Sequence, residues 1–153
     1  MSERWVGIQV VGDKVTVVHA EVTADGVAKI LEDLTWDLQQ GDRPKAYQII
    51  EERIKNYARE NGISKAVIKG SAVSQGGTRL AHLQSAEVRG VVMAALATVA
   101  DLQTLSKATV SKRFGDRKAD EYLADDDFWN DRTSGTLRKG SREAALLILA
   151  AQP

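Results

Sequence analysis

Between Lys107 and Lys118 the chain carries five basic side chains, Lys107, Lys112, Arg113, Arg117 and Lys118, against one acid, Asp116. Ammonium and guanidinium groups at that density neutralise phosphate oxygens, so the segment is a candidate phosphate-binding patch; a solvated helix-and-loop face has the same composition. The next segment inverts the sign. Ala119 to Asp131 holds six acids and no base, with Asp125-Asp126-Asp127 abutting Phe128-Trp129. Phosphate avoids such a surface. A loop that holds a hard cation alternates oxygen ligands around a glycine, which this run does not do, so a helix end or a protein-facing surface is expected instead. Phe128 and Trp129 are expected as core anchors, although aromatic rings rimmed by acids could also grip a basic partner.

Other reactive residues give less. His19 and His82 lack ligand-like spacing and are expected to pack or face solvent. Asp13 falls in a turn and Glu21 at a strand end, where acids usually cap or solvate. Gly70 to Thr78, with Gly76-Gly77 ahead of Arg79, has no lysine followed by serine or threonine at P-loop spacing. No nucleophile triad is suggested, and the absence of cysteine excludes disulfides and thiolate metal sites. With 21 basic and 21 acidic side chains, no global field draws the chain to nucleic acid, so any such contact must come from a local patch.

The elements that would position these groups can be read from periodicity. The 153 residues, 43% hydrophobic and 27% charged, suit one α/β domain spanning 1–153. Trp5 to Val11 and Lys14 to Val22 flank the Gly12-Asp13 turn as a hairpin, with Val15, Val17 and His19 on one face. Ala28 to Trp36 offers a third strand, with Ile30, Leu34 and Trp36 facing one way and Glu32 interrupting that face. Asp42 and Pro44 open a helix through Tyr47, Ile50, Ile54 and Ala58 that stops at Asn61-Gly62. Ala66-Val67-Ile68 reads as a buried strand, parallel to an earlier one because a helix connects them. Ser85 and Glu87 open a mostly apolar helix from Ala86 to Ala100; Leu102 to Leu105 is a strand, Lys118 to Phe128 a helix, and Ser141 caps a closing helix from Arg142 to Ala151. No apolar stretch is long enough for a membrane span or signal peptide, so a cytoplasmic location is expected.

This order of elements, together with three short segments, resembles the RuvC-like Holliday-junction resolvases of the ribonuclease-H-like superfamily. Val6-Gly7-Ile8-Gln9, a turn and Lys14-Val15-Thr16 look like that family's first hairpin, with Gln9 where the family carries its first aspartate. Ala66-Val67-Ile68-Lys69 ends like its fourth strand, with Lys69 in place of a glutamate, and Ser85-Ala86-Glu87-Val88-Arg89-Gly90-Val91 resembles its alanine-arginine-glycine helix. Ser141-Arg142-Glu143-Ala144-Ala145-Leu146 is similar to the last helix, where Glu143 alone is acidic. The resemblance covers Trp5 to about Ala151. It implies a mixed sheet of three antiparallel strands followed by parallel strands, flanked by helices, and puts Gln9, Lys69 and Glu143 at the family's catalytic positions without making any of the three a catalytic residue here. It also implies a DNA groove drawing on Lys69, Arg79, Lys107, Lys112, Arg113, Arg117 and Lys118, and a homodimer through helix 86–100.

Nucleases of this fold use paired magnesium or manganese ions held by convergent carboxylates. A neutral amide at position 9 and an ammonium at position 69 cannot hold such a pair, so no metal site and no cofactor is expected. The leading expectation is a resolvase-like domain with impaired or absent catalysis, which binds branched or structured nucleic acid, DNA foremost, or supports an active partner. One alternative is a magnesium- or manganese-dependent structure-selective endonuclease with an acidic site rearranged around Glu143 and Asp13. Another is a protein-interaction module that meets its partner through the acidic segment 119–131.

Overall fold

The computed structural model describes residues 2–73 and 79–153. The Gly76-Gly77 loop reading lies outside the described residues. Strands β1 (Glu3–Val11), β2 (Lys14–Val22) and β3 (Ala28–Asp37) form an antiparallel meander. Helix α1 (Arg43–Glu60) then crosses to β4 (Lys65–Lys69), parallel to β1, and α2 (Leu80–Ala97) crosses to β5 (Asp101–Leu105), parallel to β4. Short helices α3 (Lys107–Phe114), α4 (Ala119–Leu123) and α5 (Asp126–Arg132) follow, then the two-residue β6 (Thr133–Ser134), a 3-10 turn (Lys139–Ser141) and α6 (Arg142–Ala151). The sheet order is β5-β4-β1-β2-β3-β6. This is the expected mixed sheet flanked by helices.

Two apolar cores lie on opposite faces of the sheet. Val6, Ile8 and Val10 of β1 pack with Val15, Val17, Ile50, Ile54, Val88 and Leu96 under α1 and α2. Trp5, Val18, Ala20 and Val67 pack beneath α6, whose residues from Ala144 to Ala151 are all buried. A helix apolar on every side needs such burial, because no polar stripe is left for solvent. Helix α1 is amphipathic: Ala46, Ile50, Ile54 and Ala58 are its buried row, and the Asp42 carboxylate accepts from the Lys45 N–H at 3.3 Å.

The third strand departs from the simple alternation. Ala20 pairs with Ile30 and His19 with Glu32, so Leu31 is an extra residue and the strand bulges there. Ile30 therefore joins the α6 core while Leu34 and Trp36 face α1, not one common face as the alternation predicts. Glu32, which interrupts that face, accepts from the Tyr57 hydroxyl at 2.6 Å. The same hydroxyl lies 3.1 Å from Nδ1 of His19, which is buried against the Tyr57 ring.

Burial, reinforced by the positive charge of Arg4, holds the His19 imidazole below its ordinary value against the opposing pull of Glu32. A histidine depressed in the folded state gives stability that is complete above its unfolded value of 6.5 and is lost as pH falls toward the folded value. Denaturant titrations at pH 7.5 and 5.5 should show lower stability in acid, and His19→Phe should flatten that difference. An undiminished acid loss in the variant would assign it to other groups.

Three boundaries differ from expectation. Helix α2 begins at Leu80, so Ser85 sits in mid-helix, where its hydroxyl donates to the Ala81 carbonyl at 3.0 Å and reaches that of Gly12 at 3.3 Å. The helix predicted over Lys118 to Phe128 is two helices, because Asp125 leaves helical geometry to cap α5, accepting from the Phe128 N–H at 3.2 Å. Ser141 makes no cap bond; its hydroxyl donates to Asp33 at 2.5 Å, and Arg138 grips the same carboxylate. Burial alone would raise the Asp33 carboxyl, but bonds from Arg138 and Ser141 together hold it below the usual range. That anchor ties the start of α6 to β3.

Candidate functional site

Position 7 decides where α6 can lie. A Cβ built on Gly7 would stand 2.0 Å from the Ala144 carbonyl oxygen and 3.1 Å from Ile148 Cγ1, so only glycine lets the helix press on β1. Because side chains alternate along a strand, Gln9 points to the same face as Gly7. Lys69, at the end of β4, shares that face with Val67. Glu143, in the first turn of α6, is thereby set down between them.

The three positions singled out by resemblance do converge. Gln9 Nε2 donates to Glu143 Oε2 at 2.6 Å, and Lys69 Nζ donates to Glu143 Oε1 in a short ion pair. Both partners of the pair are about three-quarters buried, with side-chain exposures of 28% and 27%. Each carboxylate oxygen is thus engaged by a nitrogen donor of this chain. Beneath the pair lies a cavity of about 10 Å³ lined by Lys107, Val110, Leu146 and Leu147, room for one water at most.

This set does not fit a metal pair. The Lys69 ammonium repels a divalent ion and already engages the Glu143 carboxylate. Among the described residues no three histidine, aspartate or glutamate side chains stand together as a ligand group. Asp13 is engaged by Arg43 at 3.2 Å.

The basic segment divides in the fold. Lys107 pairs with Asp120 at 2.8 Å and Arg117 with Asp125 at 2.9 Å, the latter also lying over the Tyr122 ring. Hydrogen bonding to those acids raises both cations above their ordinary values. Lys112, Arg113 and Lys118 are exposed and have no ion pair among the described residues. Arg79 is exposed just ahead of α2.

The same pairs use up much of the acidic segment. Asp120, Asp125 and Asp126 bind Lys107, Arg117 and Arg142, and Glu121 accepts from the Lys118 N–H at 2.8 Å. Asp127 and Asp131 are left without an ion pair among the described residues. Trp129 is buried, its indole N–H donating to the Tyr122 carbonyl at 2.9 Å, and Phe128 packs on Phe114 and Tyr122. These rings anchor the small helices, as expected.

Sequence reasoning overlooked Arg89 as a site residue, although it lies inside the alanine-arginine-glycine run. From α2 it donates to the Ser71 hydroxyl at 2.6 Å and the Val10 carbonyl at 2.9 Å, joining the ends of β1 and β4. Burial holds its guanidinium below the ordinary value, and among the described residues no carboxylate pairs with it. His82 is exposed nearby. No helix among the described residues is long and apolar enough to cross a membrane.

No protein-family model matches the chain, and no curated protein matches it. Solved structures do. RuvC of T. thermophilus in complex with a Holliday junction substrate is 9% identical, with a TM-score of 0.74 over 96% of this chain and 91% of that one. Thermus thermophilus RuvC in another structure is 13% identical, also at TM-score 0.74, over 96% and 92% of the two chains. The yeast mitochondrial Holliday junction resolvase Ydc2 is 15% identical, with TM-score 0.63 over 97% of this chain and 77% of its own. At such identities a likeness speaks for architecture alone. The chain has the ribonuclease-H-like fold in its RuvC-like form.

Proposed function

We propose that this chain binds branched or structured nucleic acid, DNA foremost, without cutting it, alone or in support of an active partner. The observation that carries the reading is the Gln9–Glu143–Lys69 triad: it stands at the three positions where the resemblance puts the metal-binding acids, and it is closed by its own ammonium. Two-metal hydrolysis needs convergent anionic ligands, and this triad supplies one carboxylate, already neutralised. A phosphate oxygen, by contrast, can compete with Glu143 for Lys69, because both are anionic acceptors for the same charge-assisted bond. Lys112, Arg113 and Lys118 add exposed positive charge that has no ion pair among the described residues. Likeness in fold to resolvases raises the weight of a branched ligand.

The test is binding and cleavage of a four-way DNA junction at low salt, with and without magnesium or manganese. Binding without cleavage is expected under every metal condition. Lys69→Ala should weaken it roughly tenfold, the worth of one charge-assisted phosphate contact. Glu143→Ala, which removes the competing anion, should tighten it. Metal-dependent cleavage abolished by Glu143→Ala would overturn the reading in favour of an endonuclease with a rearranged site. Absence of binding at low salt, where electrostatic attraction is strongest, would overturn it in favour of a protein-interaction module.

A further inference from the structure

The α1 face of the sheet buries an imidazole, that of His19 on β2, at 2% exposure and edge-on to the Tyr57 ring. Its tautomer follows from its neighbours. A carboxylate can only accept, so the Tyr57 hydroxyl gives its single proton to Glu32 at 2.6 Å. The hydrogen in the 3.1 Å contact between Tyr57 Oη and His19 Nδ1 therefore comes from the imidazole. Nδ1 is the protonated nitrogen, and Nε2 keeps a bare lone pair, buried and without a partner among the described residues.

Acid can add a proton to the ring only at Nε2, which would make a charged N–H with no acceptor among the described residues. Three elements pack against the ring. Strand β1 brings Arg4, whose charge opposes the imidazolium; β3 brings Glu32, 3.8 Å from Nδ1, which favours it; and α1 brings Tyr57. Arg53 of α1 stands one ring further off, over Trp36, which meets Tyr57 edge-on. Glu32 is met on the Nδ1 side, through Tyr57, and gives Nε2 no bond. The two faces of the sheet also differ in how readily they open. Helix α1 buries one row and turns Gln48, Glu52 and Asn56 to solvent, whereas every residue of α6 from Ala144 to Ala151 is buried. An element with a solvated face opens at lower cost.

We propose that His19 triggers an acid-driven local opening, in which α1 lifts from the meander while α6, and with it the Gln9–Glu143–Lys69 triad, keeps its place on the other face of the sheet. Only the opened form exposes both ring nitrogens to solvent, so each proton taken up there draws the equilibrium toward it. An exposed imidazole has the ordinary value of 6.5, and burial holds the closed one lower. Between pH 7.5 and pH 5.5 the open population therefore rises by up to about tenfold. His82, the other histidine, is already exposed and adds nothing to this response.

The test is native-state hydrogen exchange of the full chain at pH 7.5 and 5.5, corrected for the intrinsic pH dependence of exchange, with urea added in small steps. Protection of the Ile50, Ile54 and Ala58 amides in α1 should fall several-fold on acidification, up to about tenfold. At pH 5.5 those amides should respond to urea less steeply than the Leu146, Leu147 and Ile148 amides of α6, because a local opening exposes less surface than global unfolding. His19→Phe should abolish the fall in α1 protection. Unchanged α1 protection between the two pH values, a fall that survives in His19→Phe, or one urea response shared by α1 and α6 at pH 5.5 overturns the inference. A second measurement needs no variant: the imidazole nitrogen NMR shifts of His19 at pH 7.5 should show Nδ1 protonated and Nε2 bare, and the reverse assignment overturns the inference as well.

Discussion

Gly7→Ala is expected to cost about 3 kcal/mol or more, enough to remove a large share of the stability of a domain of this size. The added methyl would lie 2.0 Å from a backbone oxygen of Ala144, whereas close C···O contacts settle at about 3.3 Å or beyond. No rotamer can relieve the clash, since neither atom belongs to a flexible side chain. The helix must lift, and every residue from Ala144 to Ala151 would lose packing against the sheet. Thermal denaturation should show a midpoint lowered by roughly 6–12 °C. If α6 lifts, Glu143 also withdraws from Gln9 and Lys69.

Gly90 supplies the control. It lies within α2, exposed, with nothing within 4 Å of a built Cβ. Alanine there should stabilise the isolated chain by about 0.5–1 kcal/mol, through helix propensity alone. Destabilisation would instead show that this face of α2 is not as open as the clearance over Gly90 implies. A change at Gly7 too small to measure would mean that α6 does not sit where the sheet and Asp33 place it.

Much of the frame was legible in residue patterns because local chemistry and burial agree there. Asp42, Pro44 and the row Ala46, Ile50, Ile54 and Ala58 state one helix three ways, and the structure has it from Arg43 to Glu60. The Gly12-Asp13 turn similarly fixes the first hairpin, with Gly12 at φ 59°. Misreadings occur where a tertiary partner overrides a local signal. Ser85 and Ser141 look like caps, yet one bonds across to Gly12 and the other to Asp33. Asp125 sits in what reads as one acidic helix, but capping α5 and pairing with Arg117 splits it. The bulge at Leu31 has no glycine to announce it.

The site was legible in part. Resemblance picked out Gln9, Lys69 and Glu143, and parity along β1 and β4 puts the first two on one face. That Glu143 bonds both could not be read from the chain, because it depends on how closely α6 approaches, and so on the clearance over Gly7. The basic segment invited a phosphate patch as a whole, whereas the fold spends Lys107 and Arg117 on Asp120 and Asp125. Charge counts along a sequence cannot see such cross-pairing. Arg89 was hidden for the opposite reason: a single arginine in an apolar helix carries no pattern.

Restoring acids at the two substituted positions should reverse the chemistry of the centre. Lys69→Glu alone replaces a three-quarters-buried ion pair with two facing carboxylates, and should destabilise the chain by about 2–3 kcal/mol at neutral pH. Acidification should relieve part of that loss, because one proton shared by the pair removes the repulsion. In Gln9→Asp/Lys69→Glu the added carboxylates join Glu143 on one face, the anionic oxygen set that a hard cation requires. Manganese or magnesium at 100 times its dissociation constant would then return about 2.7 kcal/mol, a rise in melting temperature of roughly 5–10 °C. The unaltered chain, whose Lys69 already serves as the cation for Glu143, should not respond to either metal. A folded double variant that ignores manganese would show that these positions do not converge as the triad implies. A melting temperature of the unaltered chain that climbs with manganese would show that Lys69 yields its place, and that the loss of metal chemistry inferred from it is wrong.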